Sequence, residues 1–199
     1  MQSDTILNPY ISVELRDDAF QKFCSTLRLS LQGQTDSRHA FEATGLAAHV
    51  SIAYAQGEVS LHELRLVAQQ IASERFMIRA RGFEILHGEA TGYDYLALDI
   101  EISSSLNRAQ AFVKKQIPLK EFAGGFRGHV SLLKAPQIDL IACQRLAALA
   151  KGLSRGYCKE CFSLNGDCVC VFTTDRELIV QVPFATCGQF LQSRDSSLI

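Results

Sequence analysis

The sequence predicts an α+β chain, and three observations carry that prediction. Short strand-like runs alternate with amphipathic stretches spaced for helices, in the order β-α-β-α-β-β-α-β-α-β-β. The order contains a weak internal repeat: strand, helix, motif strand, helix, then a similar block. Each block delivers one copy of the same tripeptide, His49-Val50-Ser51 and His129-Val130-Ser131.

The elements follow in order. Ile11 to Leu15 alternates loosely and reads as a short opening strand. Asp17 or Asp18 can cap a helix carrying Phe20, Phe23, Leu27 and Leu31 at amphipathic spacing. Residues 32–38 are polar and read as a loop. The first His-Val-Ser strand follows and ends at Gln56-Gly57. Ser60 with Glu63 three residues on is a capping-box pattern, and the helix it opens carries Leu61, Leu64, Val67, Ala68 and Ile71 on one side. Phe76–Leu86 and Tyr93–Ile102 read as strands joined by the turn-prone run His87 to Gly92, so a hairpin is expected. Ser103 to Ser105 can cap a further helix through Leu106, Ala109, Ala111, Phe112 and Val113, which Pro118 stops. A glycine-rich lead, residues 122–128, enters the second His-Val-Ser strand. Pro136 ends that strand, and Ile138–Ala150 reads as a helix. Val169–Phe172 and Leu178–Val182 read as a closing hairpin.

Composition bounds the function. With 47% hydrophobic and 21% charged residues in 199, the chain is too apolar for disorder. The length suits a single domain of two intimately packed lobes, with its core over about residues 10–185. The net charge of −1 supplies no basic field for long nucleic acid, whereas a small anionic substrate in a local pocket remains compatible. The N-terminus lacks the basic start and apolar core of a signal peptide, and no apolar run approaches the ~18 residues that span a bilayer. A cytoplasmic protein without membrane contact is expected. Seven cysteines is an odd number that a reducing compartment would keep as thiols. Cys24, Cys143 and Cys187 lie among apolar neighbours and read as buried and inert, and His39, His62 and His87 have no partner pattern.

The chemistry lies in the repeated tripeptide. On a strand, residues two apart share a face, so each motif turns His and Ser one way and Val the other. Two such strands side by side present two imidazoles and two hydroxyls to one point. In-line displacement at phosphorus needs a base on the entering oxygen and an acid on the leaving one. Histidine serves as either near neutral pH, so His49 and His129 suffice without a metal or other cofactor. Ser51 and Ser131 can donate to non-bridging phosphate oxygens, and Lys134 or Arg127 can add positive charge. Tyr54 and Phe126 are candidates for stacking on a base, with core packing as the alternative role.

These residues resemble the two-histidine phosphoesterases, the superfamily of 2'-5' RNA ligase-like proteins, cyclic phosphodiesterases and viral 2',5'-phosphodiesterases. Its signature is a pair of His-x-Ser/Thr motifs on paired strands. The likeness extends to the turn Gln56-Gly57-Glu58-Val59 after the first motif. It extends also to Lys134, where many members carry a basic residue five positions past the histidine. Gly128 departs from the proline many members place before the second motif, and both hydroxyl positions are Ser rather than Thr. The resemblance implies two similar lobes, related by a pseudo-twofold, whose antiparallel sheets form a central cleft. It implies a metal-independent phosphodiesterase acting on RNA ends with 2',3'-cyclic phosphates, on short 2'-5' linked oligonucleotides, or on a nucleotide second messenger. Ligation, the reverse of cleavage, would use the same pair. No obligate protein partner is evident.

Two other readings stand beside it. One is a non-catalytic binder of oligonucleotides or cyclic nucleotides on the same scaffold. The other is an interaction protein docking through its cysteine-bearing C-terminal part. Cys158, Cys161, Cys168 and Cys170 offer four thiolates to a structural zinc ion, but the one-residue spacing of the second pair places Cys168 and Cys170 on one strand face rather than around a knuckle. Ordinary reduced cysteines are the expectation.

Overall fold

The computed structural model describes residues 4–32, 42–43, 47–74, 77–88, 92–121, 125–136, 144, 148, 151–152 and 163–184. In chain order its elements are β1 (Thr5–Leu7), β2 (Tyr10–Glu14), α1 (Asp18–Gln32), β3 (Glu42–Ala43), β4 (His49–Tyr54), β5 (Glu58–Ser60), α2 (Leu61–Ala72), β6 (Met77–Gly88), β7 (Tyr93–Ile100), α3 (Ser104–Gln116), β8 (His129–Pro136), β9 (Ser163–Asn165), β10 (Cys168–Phe172) and β11 (Leu178–Pro183). The fold is α+β, and every strand pair is antiparallel.

Two larger sheets carry the motifs. The first has the order β11-β10-β2-β4 and the second β3-β8-β7-β6-β9. Alternation gives each sheet a dry face. In the first sheet, Ile11, Val13, Val50, Val169 and Val171 are fully buried, and α2 covers β10 and β11 with Leu64, Val67, Ala68 and Ile71. In the second, Leu96, Leu98 and Val130 are buried, and Phe23 of α1 approaches Phe83 of β6 with ring centroids 6.4 Å apart. β4 and β8 adjoin where the sheets meet, and α3 lies against β4.

The helix starts are chemically fixed. Asp17 Oδ1 accepts from the Phe20 amide at 2.8 Å, so Asp17 rather than Asp18 begins α1. Ser60 and Glu63 form the complete capping box expected at α2, and Ser103 Oγ accepts from the Leu106 amide at α3.

Both motif strands carry an irregularity at the same place. Ser51 pairs with Ser12 and Ala53 with Ile11, leaving Ile52 as an extra residue. Ser131 pairs with Ala97 and Leu133 with Leu96, leaving Leu132 extra. Each bulge shifts the later residues by one face. Tyr54 and Lys134, five residues past their histidines, are thereby returned to the histidine side of the sheet.

Several expectations need amendment. The predicted order lacks β1, β3, β5 and β9, each only two or three residues long and without a periodicity that sequence can show. The two larger sheets are not built from consecutive stretches of the chain. α1 follows β2 but packs against the second sheet, and the late hairpin β10–β11 returns to flank β2 in the first. Of the loop expected over residues 32–38, Gln32 belongs to the end of α1 and residues 33–38 lie outside the described residues, as does most of the helix expected over Ile138–Ala150. Among the described residues no helix is long and apolar enough to cross a membrane.

Candidate active site

The two histidines are held by the same device. His49 Nδ1–H donates to the carbonyl of Ala47 at 2.9 Å, and His129 Nδ1–H donates to that of Arg127 at 3.1 Å. In each case the acceptor lies two residues earlier. This tether favours the tautomer that carries its lone pair on Nε2, the atom that can exchange a proton. Strand register gives each ring a carboxylate neighbour, Glu14 opposite His49 and Asp99 opposite His129. Each carboxylate is bound by an arginine, Arg16 to Glu14 at 2.7 Å and Arg81 to Asp99 at 2.9 Å.

Electrostatics link the rings. Burial lowers the pKa of both imidazoles below the ordinary 6.5, only partly offset by the carbonyl tethers. The charge of His49 lowers His129 further, which places the two within electrostatic reach of each other. Charging one therefore disfavours charging the other.

The hydroxyls and aromatics complete the first half-site. Ser51 is buried, and its Oγ accepts from Tyr54 Oη at 3.1 Å, so its own hydrogen can be directed elsewhere. Tyr54 is 37% exposed and stacks on Tyr10, which stacks in turn on Phe172 at 5.1 Å between centroids. The His49 ring lies 6.2 Å from Tyr10 and 6.3 Å from Phe172. Burial pushes the Tyr10 phenol up to about 12, so it remains neutral. Arg176 sits at the β10–β11 turn in left-handed backbone, φ 68°; its charge adds to the burial that lowers His49 and partly offsets the burial that raises Tyr10 and Tyr54.

The second half-site differs. Ser131 is half-buried on the His129 face. Lys134 lies opposite Tyr95, with Nζ 5.1 Å from the centroid of the Tyr93 ring. The Arg127 guanidinium is paired with the Glu84 carboxylate, so its established contribution is the carbonyl that orients His129. Phe126 packs against the core, leaving Tyr54 as the better placed of the two stacking candidates. His87 is engaged by Asp94 at 3.0 Å, and His62 is exposed; His39 lies outside the described residues.

Sequence reasoning missed Tyr10, Glu14, Phe172 and Arg176. The alternation Tyr10-Ser12-Glu14 on β2 was the available signal, since it marks a polar face opposite Ile11 and Val13. Of the cysteines, Cys24, Cys168 and Cys170 are buried free thiols. Cys143, Cys158, Cys161 and Cys187 lie outside the described residues.

The sequence matches no family model and no curated protein. Similarity to solved structures extends over nearly the whole chain. Usb1 of Kluyveromyces marxianus, in a structure with uridine monophosphate, is 14% identical with a TM-score of 0.53, covering 88% of this chain and 97% of that one. TT0787 of Thermus thermophilus is 13% identical with a TM-score of 0.54, covering 89% and 98%. A phosphoesterase is 10% identical with a TM-score of 0.53, covering 91% and 99%. The fold expected from the resemblance to the two-histidine phosphoesterases is thus the fold this chain has.

Proposed function

We propose that the chain is a phosphodiesterase of the two-histidine class, acting on short RNA-derived or nucleotide substrates with 2',3'-cyclic phosphate or 2'-5' linked groups. The observation that carries this reading is the mirrored pair of tethers. Two rings from distant segments carry the same Nδ1 restraint, and the charge of one acts on the other. One Nε2 takes the proton of the entering hydroxyl as its oxygen attacks phosphorus. The other ring, as imidazolium, protonates the oxygen that leaves, and proton exchange with solvent restores both rings before the next turnover.

The surrounding groups have consistent roles. Ser51 and Ser131 donate to the non-bridging oxygens, where charge shifts in the transition state. Arg176 and Lys134 add positive charge at the two ends. Tyr54, backed by Tyr10 and Phe172, offers a face for one base. The nucleotide in the Kluyveromyces structure supports a ligand of that size. The acid–base step itself draws on no metal.

The test is a panel assay with product analysis, using a 2',3'-cyclic nucleotide, a 2'-5' trimer, a 3'-5' trimer and a cyclic dinucleotide. Turnover of the first or second by wild type, lost in His49→Asn and His129→Asn, is the expected result. Binding without turnover by wild type would instead establish the non-catalytic reading.

A further inference from the structure

The first sheet carries a second cluster on its histidine face, which shares Glu14 with the surroundings of His49 but holds two thiols given no part in the proposed proton transfer. Cys168 and Cys170 lie two apart on β10, and Glu14 lies opposite Cys168 on β2. All three are buried, at 2%, 0% and 7% exposure. Cys168 Sγ is 3.6 Å from Cys170 Sγ and 3.4 Å from Glu14 Oε2. The three donor atoms lie within 4.8 Å of one another.

Those separations have a chemical meaning. With zinc–sulfur bonds of about 2.3 Å and zinc–oxygen bonds of about 2.0 Å, a tetrahedral shell places two sulfurs about 3.8 Å apart and sulfur and oxygen about 3.5 Å apart. The Cys168–Cys170 and Cys168–Glu14 separations already match two edges of such a shell, and the third is within 4.8 Å. We propose that Glu14, Cys168 and Cys170 form a zinc site on the β2–β10 pair, completed by water or by the Gln181 carboxamide, which lies 3.5 Å from Cys168 Sγ.

Two further features fit. Arg16 binds Glu14 through Nε at 2.8 Å and Nη2 at 2.7 Å, which orients the carboxylate and balances the excess negative charge of two thiolates and one carboxylate around a divalent ion. Ser12 lies opposite Cys170, wholly buried, and its Oγ has no hydrogen-bond partner among the described residues. Such a hydroxyl is costly where it stands, and a metal-bound water or a thiolate beside it would satisfy it. Binding releases the two thiol protons to solvent and changes no oxidation state. The site is structural: it clamps β10 to β2 beside His49 and takes no part in proton transfer.

X-ray absorption on the zinc-loaded, reduced wild-type protein is the direct test. It is expected to return one zinc per chain with two sulfur and two oxygen or nitrogen neighbours. Cys168→Ser and Cys170→Ser should each lower zinc affinity by about 100-fold, and Glu14→Gln by about 10-fold. A Cys158→Ser/Cys161→Ser variant should bind as wild type does, and its absorption spectrum should be unchanged; this arm stands even if the buried substitutions fail to fold. Absence of bound zinc, four sulfur neighbours, or loss of zinc in the Cys158/Cys161 variant overturns the assignment.

Discussion

Burial sets the protonation of the two imidazoles. Both are lowered below 6.5, chiefly by desolvation. In the proposed mechanism one ring must be neutral and the other charged, so kcat/KM against pH should be a bell centred on the acidic side of 6.5, measured on a 2',3'-cyclic nucleotide. The same shift acts on stability. A depressed folded-state value means the folded protein holds fewer protons than the unfolded chain, so the contribution is present above 6.5 and lost as pH falls through the folded value. Urea midpoints should therefore fall on acidification, and less steeply in the His49→Asn/His129→Asn double variant. Each single histidine substitution should lower kcat by roughly 10²- to 10⁴-fold while circular dichroism stays unchanged. Arg176 provides a separate check, because it depresses His49 through space. Arg176→Ala should raise KM and move the limb of the pH profile belonging to His49 upward.

At the level of elements, the two bulges decide what accompanies each histidine. Strict alternation from His49 would send Tyr54 to the buried side, and from His129 it would do the same to Lys134. The extra residues Ile52 and Leu132 reverse both. The sequence resemblance located Lys134 by family spacing but had no physical reason for it, since a bulge leaves no mark on an apolar run such as Ile52-Ala53 or Leu132-Leu133. The helices were more legible. The Ser60–Glu63 box stands as read, and Ser60→Ala should cost about 1 kcal/mol in chemical denaturation. Gly128 also has a local reason. A Cβ there would stand 2.7 Å from Ile102 Cδ1 and 3.4 Å from Ile100 Cβ, so the residue before the second motif must be small or its neighbours must move.

For the whole molecule, periodicity revealed most strands and all three described helices, because each has a dry side long enough to show. It did not reveal partnership. Nothing along Tyr10–Glu14 says that its neighbours will be β4 on one side and the far-removed β10 on the other, and so Glu14 was not connected with Cys168. Deleting the chain from Cys168 onward should accordingly abolish cooperative unfolding and drive association through the uncovered β2, as followed by size-exclusion chromatography and thermal melts. The placement of β2 also constrains birth on the ribosome. The strand that flanks His49 emerges 154 residues ahead of its second neighbour, the separation of Glu14 from its partner Cys168. For that interval the nascent chain holds an open, adhesive edge, the kind of surface a chaperone would have to shield.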